Sequence, residues 1–555
     1  MKMKIKYTRK QAFWLAATTL ITSFGIVLSS SSLNYFEINK QLEIFANVYR
    51  EVNVHYVDET HPEELMEDAI GNMLKNLDPY TVHIAASDIE NYRMMQTGQY
   101  GGIGATIMKY KEYCVITSPK KGFPADKAGL KSGDLLISVE GKDMKGKSPD
   151  ELSSLLKGSP GTTVEITIDR DGEKKTLSLT REDIQVPSVP YYGMLNAETG
   201  YITLSIFTNK ASKEISEALN ALKAENDVKS LVLDLRSNPG GLLSEAINVS
   251  NIFLDKGVKV VETRGRTQET NRAYRTLKAP IDNEMPLVVL INGNSASASE
   301  IVAGTMQDLD RGVVMGQQSY GKGLVQQTKP LSYGSQIKIT IAKYYTPSGR
   351  CVQAINYAQR DANGKVKRLP DSLRAEFKTV GGRTVKDGAG VDPDVSLENI
   401  EYPHILMSLV RNHLVFEYVN LYEKQHSEIA SAKGFRMSDD DYKGFVKFLS
   451  DKEYHYDTET EKLYTVLSKV SEEEDYHEID KELKALKSAI AKSKSDDLMK
   501  FQAVISNFIE SEIVERYYYE SGKIEHEVFT DDDVKSAVEL LNSQVEYDKI
   551  LAIAE

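Results

Sequence analysis

The chain has 555 residues, more than one hydrophobic core can organise, so several domains are expected. Hydrophobic residues at 41% and charged residues at 27% are the composition of folded protein, and a net charge of -13 excludes a general nucleic-acid binder with a basic surface. Cys114 and Cys351 are the only cysteines, which excludes a disulfide framework and a thiolate metal cluster, and no metal or other cofactor is expected.

Residues 1–36 open with Lys2, Lys4, Lys6, Arg9 and Lys10, followed by an uncharged stretch from Gln11 to Phe36 whose apolar core runs from Ala12 to Leu28. A basic stub before an apolar segment is the pattern of export. The expectation is an uncleaved membrane anchor, or a signal peptide, with its basic end in the cytoplasm. The bulk of the chain would then lie in the cell envelope, anchored to the inner membrane or secreted to the periplasm.

Residues 37–97 carry Ile44, Val48, Val52, Leu65, Ile70, Met73 and Leu74 at roughly helical spacing, interrupted by the turn signal Leu77-Asp-Pro-Tyr-Thr81. A helical module is expected there, packing either within the chain or against another subunit as a homo-oligomer. Residues 98–183 read as short strands at Gly101–Ile107, Cys114–Ser118, Leu135–Val139, Val164–Ile168 and Thr176–Thr180, with helical pieces at Ala125–Ala128 and Pro149–Leu156. In Tyr100-Gly-Gly-Ile-Gly104, Pro124-Ala-Asp-Lys-Ala-Gly-Leu130 and Lys131-Ser-Gly-Asp-Leu-Leu-Ile137 this stretch resembles a PDZ domain. The resemblance implies capture of a protein's C-terminal tail as an added strand, its carboxylate held on backbone N–H groups of Gly101, Gly102, Ile103 and Gly104.

From 184 to 399 strands and helices alternate, the pattern of an α/β core. Ser230–Leu235 and Pro286–Ile291 are nearly unbroken apolar strands; one runs into Arg236-Ser-Asn-Pro-Gly-Gly241, and the other precedes a helix from Ser297 to Leu309. Residues 400–555 read as helical, acidic and rich in tyrosine, with helix starts at Ser438-Asp-Asp-Asp441 and Thr530-Asp-Asp-Asp533. The fold class is thus multi-domain α/β: an anchor and helical module, a β-rich PDZ-like domain, an α/β core and a helical extension, the last a candidate dimerisation element or docking surface.

No histidine occurs from Ile84 to Pro403, so a hydroxyl nucleophile in the core has no imidazole from its own block as base. Lys322 follows Ser297 by 25 positions, between Gly321 and Gly323 and ahead of Leu324 and Val325. A lysine serves as a base near neutrality only where burial lowers its pKa from about 10.4 by several units. The pattern predicts a Ser-Lys dyad. Gln326 lies within one helical turn or a short strand reach of Lys322, and its carbonyl can accept from the amine; a carboxylate in that place would hold the lysine protonated.

Across roughly 37 to 398 the chain resembles the carboxyl-terminal processing, or tail-specific, serine proteases. The likeness rests on Asp234-Leu-Arg-Ser-Asn-Pro-Gly-Gly241, Ser295-Ala-Ser-Ala-Ser-Glu-Ile301, Gln307-Asp308, Gly321-Lys-Gly-Leu-Val-Gln-Gln327 and Gly390-Val-Asp-Pro-Asp394. It implies cleavage or C-terminal trimming of exported proteins, with Ser297 as nucleophile, Lys322 as general base, Gln326 orienting the lysine, and oxyanion donors from Ala298 and from Gly240 or Gly241. The partners implied are protein substrates with accessible tails, and the PDZ domain is expected to gate the site. Asp234 and Arg236 are expected to be structural. Two other readings compete: a non-catalytic membrane-tethered PDZ scaffold, and a hydratase-like enzyme acting on a thioester.

Overall fold

The computed structural model describes residues 35–360, 366–368, 370–398 and 401–551. The basic stub and most of the apolar stretch of the expected anchor lie outside these residues, and among the described ones no helix is long and apolar enough to cross a membrane. The chain divides into two compact units, one ending at His83 and one beginning at Ile84.

The first unit is built on two helices, 35–55 and Pro62–Lys75, the second opened by proline where no intrahelical N–H is needed. The predicted turn forms at Asp78, whose carboxylate accepts the N–H groups of Tyr80 and Thr81. Phe36, Leu42, Val48 and Met73 remain exposed on this unit.

In the second unit the PDZ-like module contains a six-stranded sheet. Its main path runs in the spatial order Ala105–Tyr110, Tyr113–Pro119, Leu135–Val139, Thr163–Arg170 and Glu173–Thr180. The single strand expected over 101–107 is broken in two, Gln99–Gly102 pairing with Glu182–Gln185 and Ala105–Tyr110 entering the main sheet. Gly104 causes the break: its φ is +72°, and a Cβ there would stand 2.6 Å from the Phe123 side chain. Helix Pro149–Leu156 starts with a full capping box between Ser148 and Glu151.

The α/β core is a six-stranded sheet in the order Tyr191–Met194, Thr199–Thr203, Ser230–Asp234, Leu287–Ile291, Val313–Gly316, Val395–Ser396, parallel except at its first pair. Its unbroken apolar runs are explained by burial on both faces. Leu231, Leu233, Leu287, Val289 and Ile291 pack with the helices Ala211–Glu225, Leu243–Phe253 and Ala298–Asp308. The alternate residues Val232, Val288 and Leu290 pack with Val528, Val534, Ala537, Leu541 and Tyr547. The far end of the chain is therefore the second layer of the core. Tyr547 ties it down, its hydroxyl bonding both the N–H and the carbonyl of Leu287.

The rest of the C-terminal region is a helical bundle centred on Leu409, Val419, Phe445, Ile505 and Ile513. Ser438 begins its helix with the predicted capping box. At the second predicted start the arrangement differs: Thr530 closes the long helix Gln502–Thr530, and Asp531 caps the next one, Asp532–Leu541, by accepting the N–H groups of Asp533 and Val534. Aspartate wins because its carboxylate reaches two free N–H groups at once, whereas the Thr530 hydroxyl bonds back to the His526 carbonyl. The long helix breaks at Tyr519 (φ 61°, ψ -169°), where it meets the PDZ-like module through Tyr519 Oη to Asp126 and Glu520 to Lys120.

Candidate active site

Of the serines in Ser295-Ala-Ser-Ala-Ser299, only the middle one is partly exposed. Ser295 is buried and donates to the Leu235 carbonyl at 2.8 Å; Ser299 is buried and donates to the Asn238 carbonyl at 2.9 Å. Both hydroxyls are committed to holding the 235–238 segment. Ser297 stands between them where the loop after strand Leu287–Ile291 turns into helix Ala298–Asp308, with φ 56° and ψ -110°. A β-carbon-bearing residue in that region costs about 1–3 kcal/mol, strain that a close-packed surround must sustain.

That surround converges on Glu300, which is fully buried. One carboxylate oxygen accepts the N–H of Ser297 (2.7 Å) and of Lys322 (2.9 Å); the other accepts the Ser319 hydroxyl (2.6 Å) and the N–H of Gly321 (2.7 Å). Burial pushes the Glu300 carboxyl above the usual range, opposed by those four donors. On the other side the buried Tyr344 hydroxyl lies 2.7 Å from the Lys322 carbonyl and 3.1 Å from the Ser297 carbonyl. The main chains of Ser297 and Lys322 are thus clamped together at both N–H and C=O. The flanking glycines act as predicted: a Cβ on Gly321 would come within 2.4 Å of Ala354 Cβ, and one on Gly323 within 2.8 Å of Gln353 N.

Gln326 lies in the extended strand Leu324–Pro330, so a strand reach rather than a helical turn separates it from Lys322. Its amide donates to Thr340 Oγ1 at 3.2 Å, which turns its carbonyl oxygen away from that hydroxyl. The carboxylate of this site comes from Glu300 and meets the lysine at its main-chain N–H.

The two glycines of the 236–241 loop, left open by the sequence, are distinguished by their partners. Gly240 donates its N–H to Asn238 Oδ1 at 2.8 Å, so that donor is already engaged. The N–H groups of Gly241 and Ala298 meet no acceptor among the described residues. Gly240 has a steric role: with φ +99°, a Cβ on it would stand 2.8 Å from Ser297 Cβ and 2.9 Å from Ala298 N. Gly240→Ala is expected to cost at least about 2 kcal/mol of stability and most of the activity, checked by denaturant melting and turnover on one preparation.

Asp234 and Arg236 hold the start of that loop, as expected: Asp234 accepts the Arg236 main-chain N–H and both Nε and Nη2 of its guanidinium. In the PDZ-like module, Gly101 and Gly102 lie in the strand that pairs with Glu182–Gln185, and the Gly101 carbonyl faces the other way to accept the Gly158 N–H at 3.1 Å. The N–H groups of Ile103 and Gly104 meet no acceptor among the described residues and stand at the head of Ala105–Tyr110, an edge strand of its sheet with helix Pro149–Leu156 beside it.

Glu300, Tyr344, Asn238 and Ser319 were not singled out from the sequence. Ser297-Ala-Ser-Glu300 has the Ser-x-x-Glu spacing of a capping box, which could have pointed to Glu300. For Tyr344 no local signal exists.

A serine at a strained strand-to-helix turn, joined to a lysine loop and flanked by two unengaged N–H groups, is the layout of a serine peptidase. Residues 198–360 match the model of peptidase family S41, residues 115–170 that of a PDZ domain, and residues 405–541 that described as "Probable PDZ-protease, C-terminal helical domain". A carboxy-terminal-processing protease of Bartonella bacilliformis is 37% identical over 353 residues, covering 62% of this chain and 81% of that one. A protein of Staphylococcus aureus named "Probable CtpA-like serine protease" is 37% identical over 348 residues, covering 61% of this chain and 69% of that one. Among solved structures, a photosystem II D1 C-terminal processing protease is 28% identical, covers 64% of this chain and 92% of its own, and has a TM-score of 0.35. The chain belongs to the carboxy-terminal-processing proteases of peptidase family S41, and it is a serine protease carrying a PDZ domain.

Proposed function

We propose that this protease cleaves through a Ser-Lys dyad and selects substrates by their C-terminal tails. The carrying observation is that Glu300 and Tyr344 bind the main chains of Ser297 and Lys322 to each other, while the neighbouring serines are buried in structural bonds. Lys322, neutral, takes the proton of the Ser297 hydroxyl as Oγ attacks the scissile carbonyl. The N–H groups of Gly241 and Ala298 receive the oxyanion, each such donor being worth about 2.7–4 kcal/mol. The ammonium then protonates the leaving amine, the C–N bond breaks, and water, deprotonated by the same lysine, releases the acyl group. Gln326 orients the amine.

In this reading the tail adds to the edge strand Ala105–Tyr110 and its carboxylate meets Ile103 and Gly104 N–H. The protein acts on exported substrates in the cell envelope, tethered or released according to the fate of residues 1–36. The contacts of the PDZ-like module with the long helix at Tyr519 and Glu520 support gating, because tail binding beside Asp126 would bear on them.

The test is an unfolded protein substrate ending in apolar residues, compared with the same substrate capped as a C-terminal amide. The free tail is expected to be cleaved at least about tenfold more efficiently by kcat/KM, the order of one lost charge-assisted contact. Equal rates would remove the tail-capture reading.

A further inference from the structure

The loop that carries Gly240 and Gly241 is held at its start by more than its own strand. Arg236 is gripped along one edge by Asp234, and its remaining nitrogen, Nη1, reaches out of the core fold to Asp531 at 2.8 Å and Asp533 at 3.1 Å. Those two residues open the helix Asp532–Leu541, whose Val534, Ala537 and Leu541 are pressed on the sheet. The guanidinium therefore cannot turn in its plane: Asp234 fixes one side and the C-terminal helix the other. Tyr201 completes the cluster by donating to Asp234 at 2.8 Å. Burial works against the charge of Arg236, and Asp234 and Asp531 more than restore it.

Rigidity matters here because the loop is strained. Ser237, Gly240 and Gly241 all have positive φ, at 57°, 99° and 148°. Such a segment keeps its shape only when its surroundings over-determine it. Its other fastenings include Asn292, which accepts the Ser237 N–H, Asn238, which donates to the Leu204 carbonyl, and Ser295 and Ser299, which donate to the Leu235 and Asn238 carbonyls. None of these bonds the Arg236 side chain, which is held by Asp234, Asp531 and Asp533.

We infer that Asp531 and Asp533 are positioning residues for the reaction, acting through Arg236 to set the loop that presents the Gly241 N–H to the substrate carbonyl. The helical C-terminus thus belongs to the support of the active site as well as to the core. This rests on the Ser297 and Gly241 roles proposed above. It also explains an arrangement that stability alone would not favour, three carboxylates around one guanidinium, with burial raising the Asp533 carboxyl against the pull of Arg236.

The test is the full chain carrying Asp531→Asn and Asp533→Ala, asparagine being as good a helix cap as aspartate. Expected are a fall in kcat of at least about tenfold with KM within about twofold, an equal loss of affinity for a transition-state-like peptide boronate, and an unchanged melting temperature, since displacing catalytic groups by about 1 Å costs up to about a hundredfold. Asp533→Glu alone should retain most of the parent kcat. A kcat within about threefold of the parent would overturn the inference, as would a loss matched by a lowered melting temperature. Should the double variant not fold, Asp533→Asn alone carries the same comparison. Ser297→Ala of the parent runs alongside: turnover by that control would refute the nucleophile assignment, whereas its silence with a fully active double variant would refute only the positioning role.

Discussion

Ser297→Ala and Lys322→Ala are each expected to reduce peptide cleavage to background while the melting temperature and the binding of C-terminal peptides stay close to the parent values. Ser297 is partly exposed, whereas Ser295 and Ser299 are buried with their hydroxyls committed to main-chain carbonyls. Residues that act as one nucleophilic unit are non-additive, so the double variant should be no slower than either single one. Triad enzymes stripped in this way lose about six orders of magnitude. With a lysine as general base the rate must rise as pH increases, because only the neutral amine accepts the serine proton. A rate that declined steadily from pH 6 to 9, or appreciable cleavage by Ser297→Ala, would sink the dyad.

Replacing Glu300 should do more than silence the enzyme. Glu300→Ala leaves the N–H groups of Ser297, Gly321 and Lys322 and the hydroxyl of Ser319 without their acceptor in a fully buried place. Each buried donor so stranded costs about 1–3 kcal/mol, so a loss of about 4 kcal/mol or more is expected, read from the shift of a denaturant midpoint. Glu300→Gln is the sharper instrument. It preserves size but turns an NH2 toward one pair of donors, so it should destabilise less than alanine while still lowering kcat by about a hundredfold through displacement of Ser297 or Lys322. If Glu300→Gln retained parent kcat, the carboxylate clamp would not be what holds the two residues in register.

The contrast between Glu300 and Gln326 bears on how charge is handled. A carboxylate directed at the lysine amine would favour its protonated form. Here the carboxylate is occupied by four donors, among them the lysine's own main-chain N–H. The site therefore uses a strong anionic acceptor to build the backbone, while the neutral amide of Gln326 bonds Thr340.

Much of this molecule can be read along the chain, because the signals involved are local. The absence of histidine between Ile84 and Pro403, with Ser297 in its Ser295–Ile301 motif and Lys322 between two glycines, is what the proposed Ser-Lys chemistry is read from. The unbroken apolar runs Leu231–Leu233 and Leu287–Ile291 dictate strands covered on both faces, and Gly321 and Gly323 dictate close backbone packing. What local signals could not supply are the choices made by contacts between distant segments. Arg236 meets Asp533 across 297 positions, and Tyr344 reaches Ser297 across 47. Whether Gly240 or Gly241 keeps a free N–H depends on where the Asn238 side chain falls, and the second cover of the core sheet comes from Val528 to Leu551, which sequence alone presents as a separate helical tail. Periodicity and residue type report the surface each segment must bury; only folding decides which other segment buries it, because apolar burial has no direction and does not name its partner.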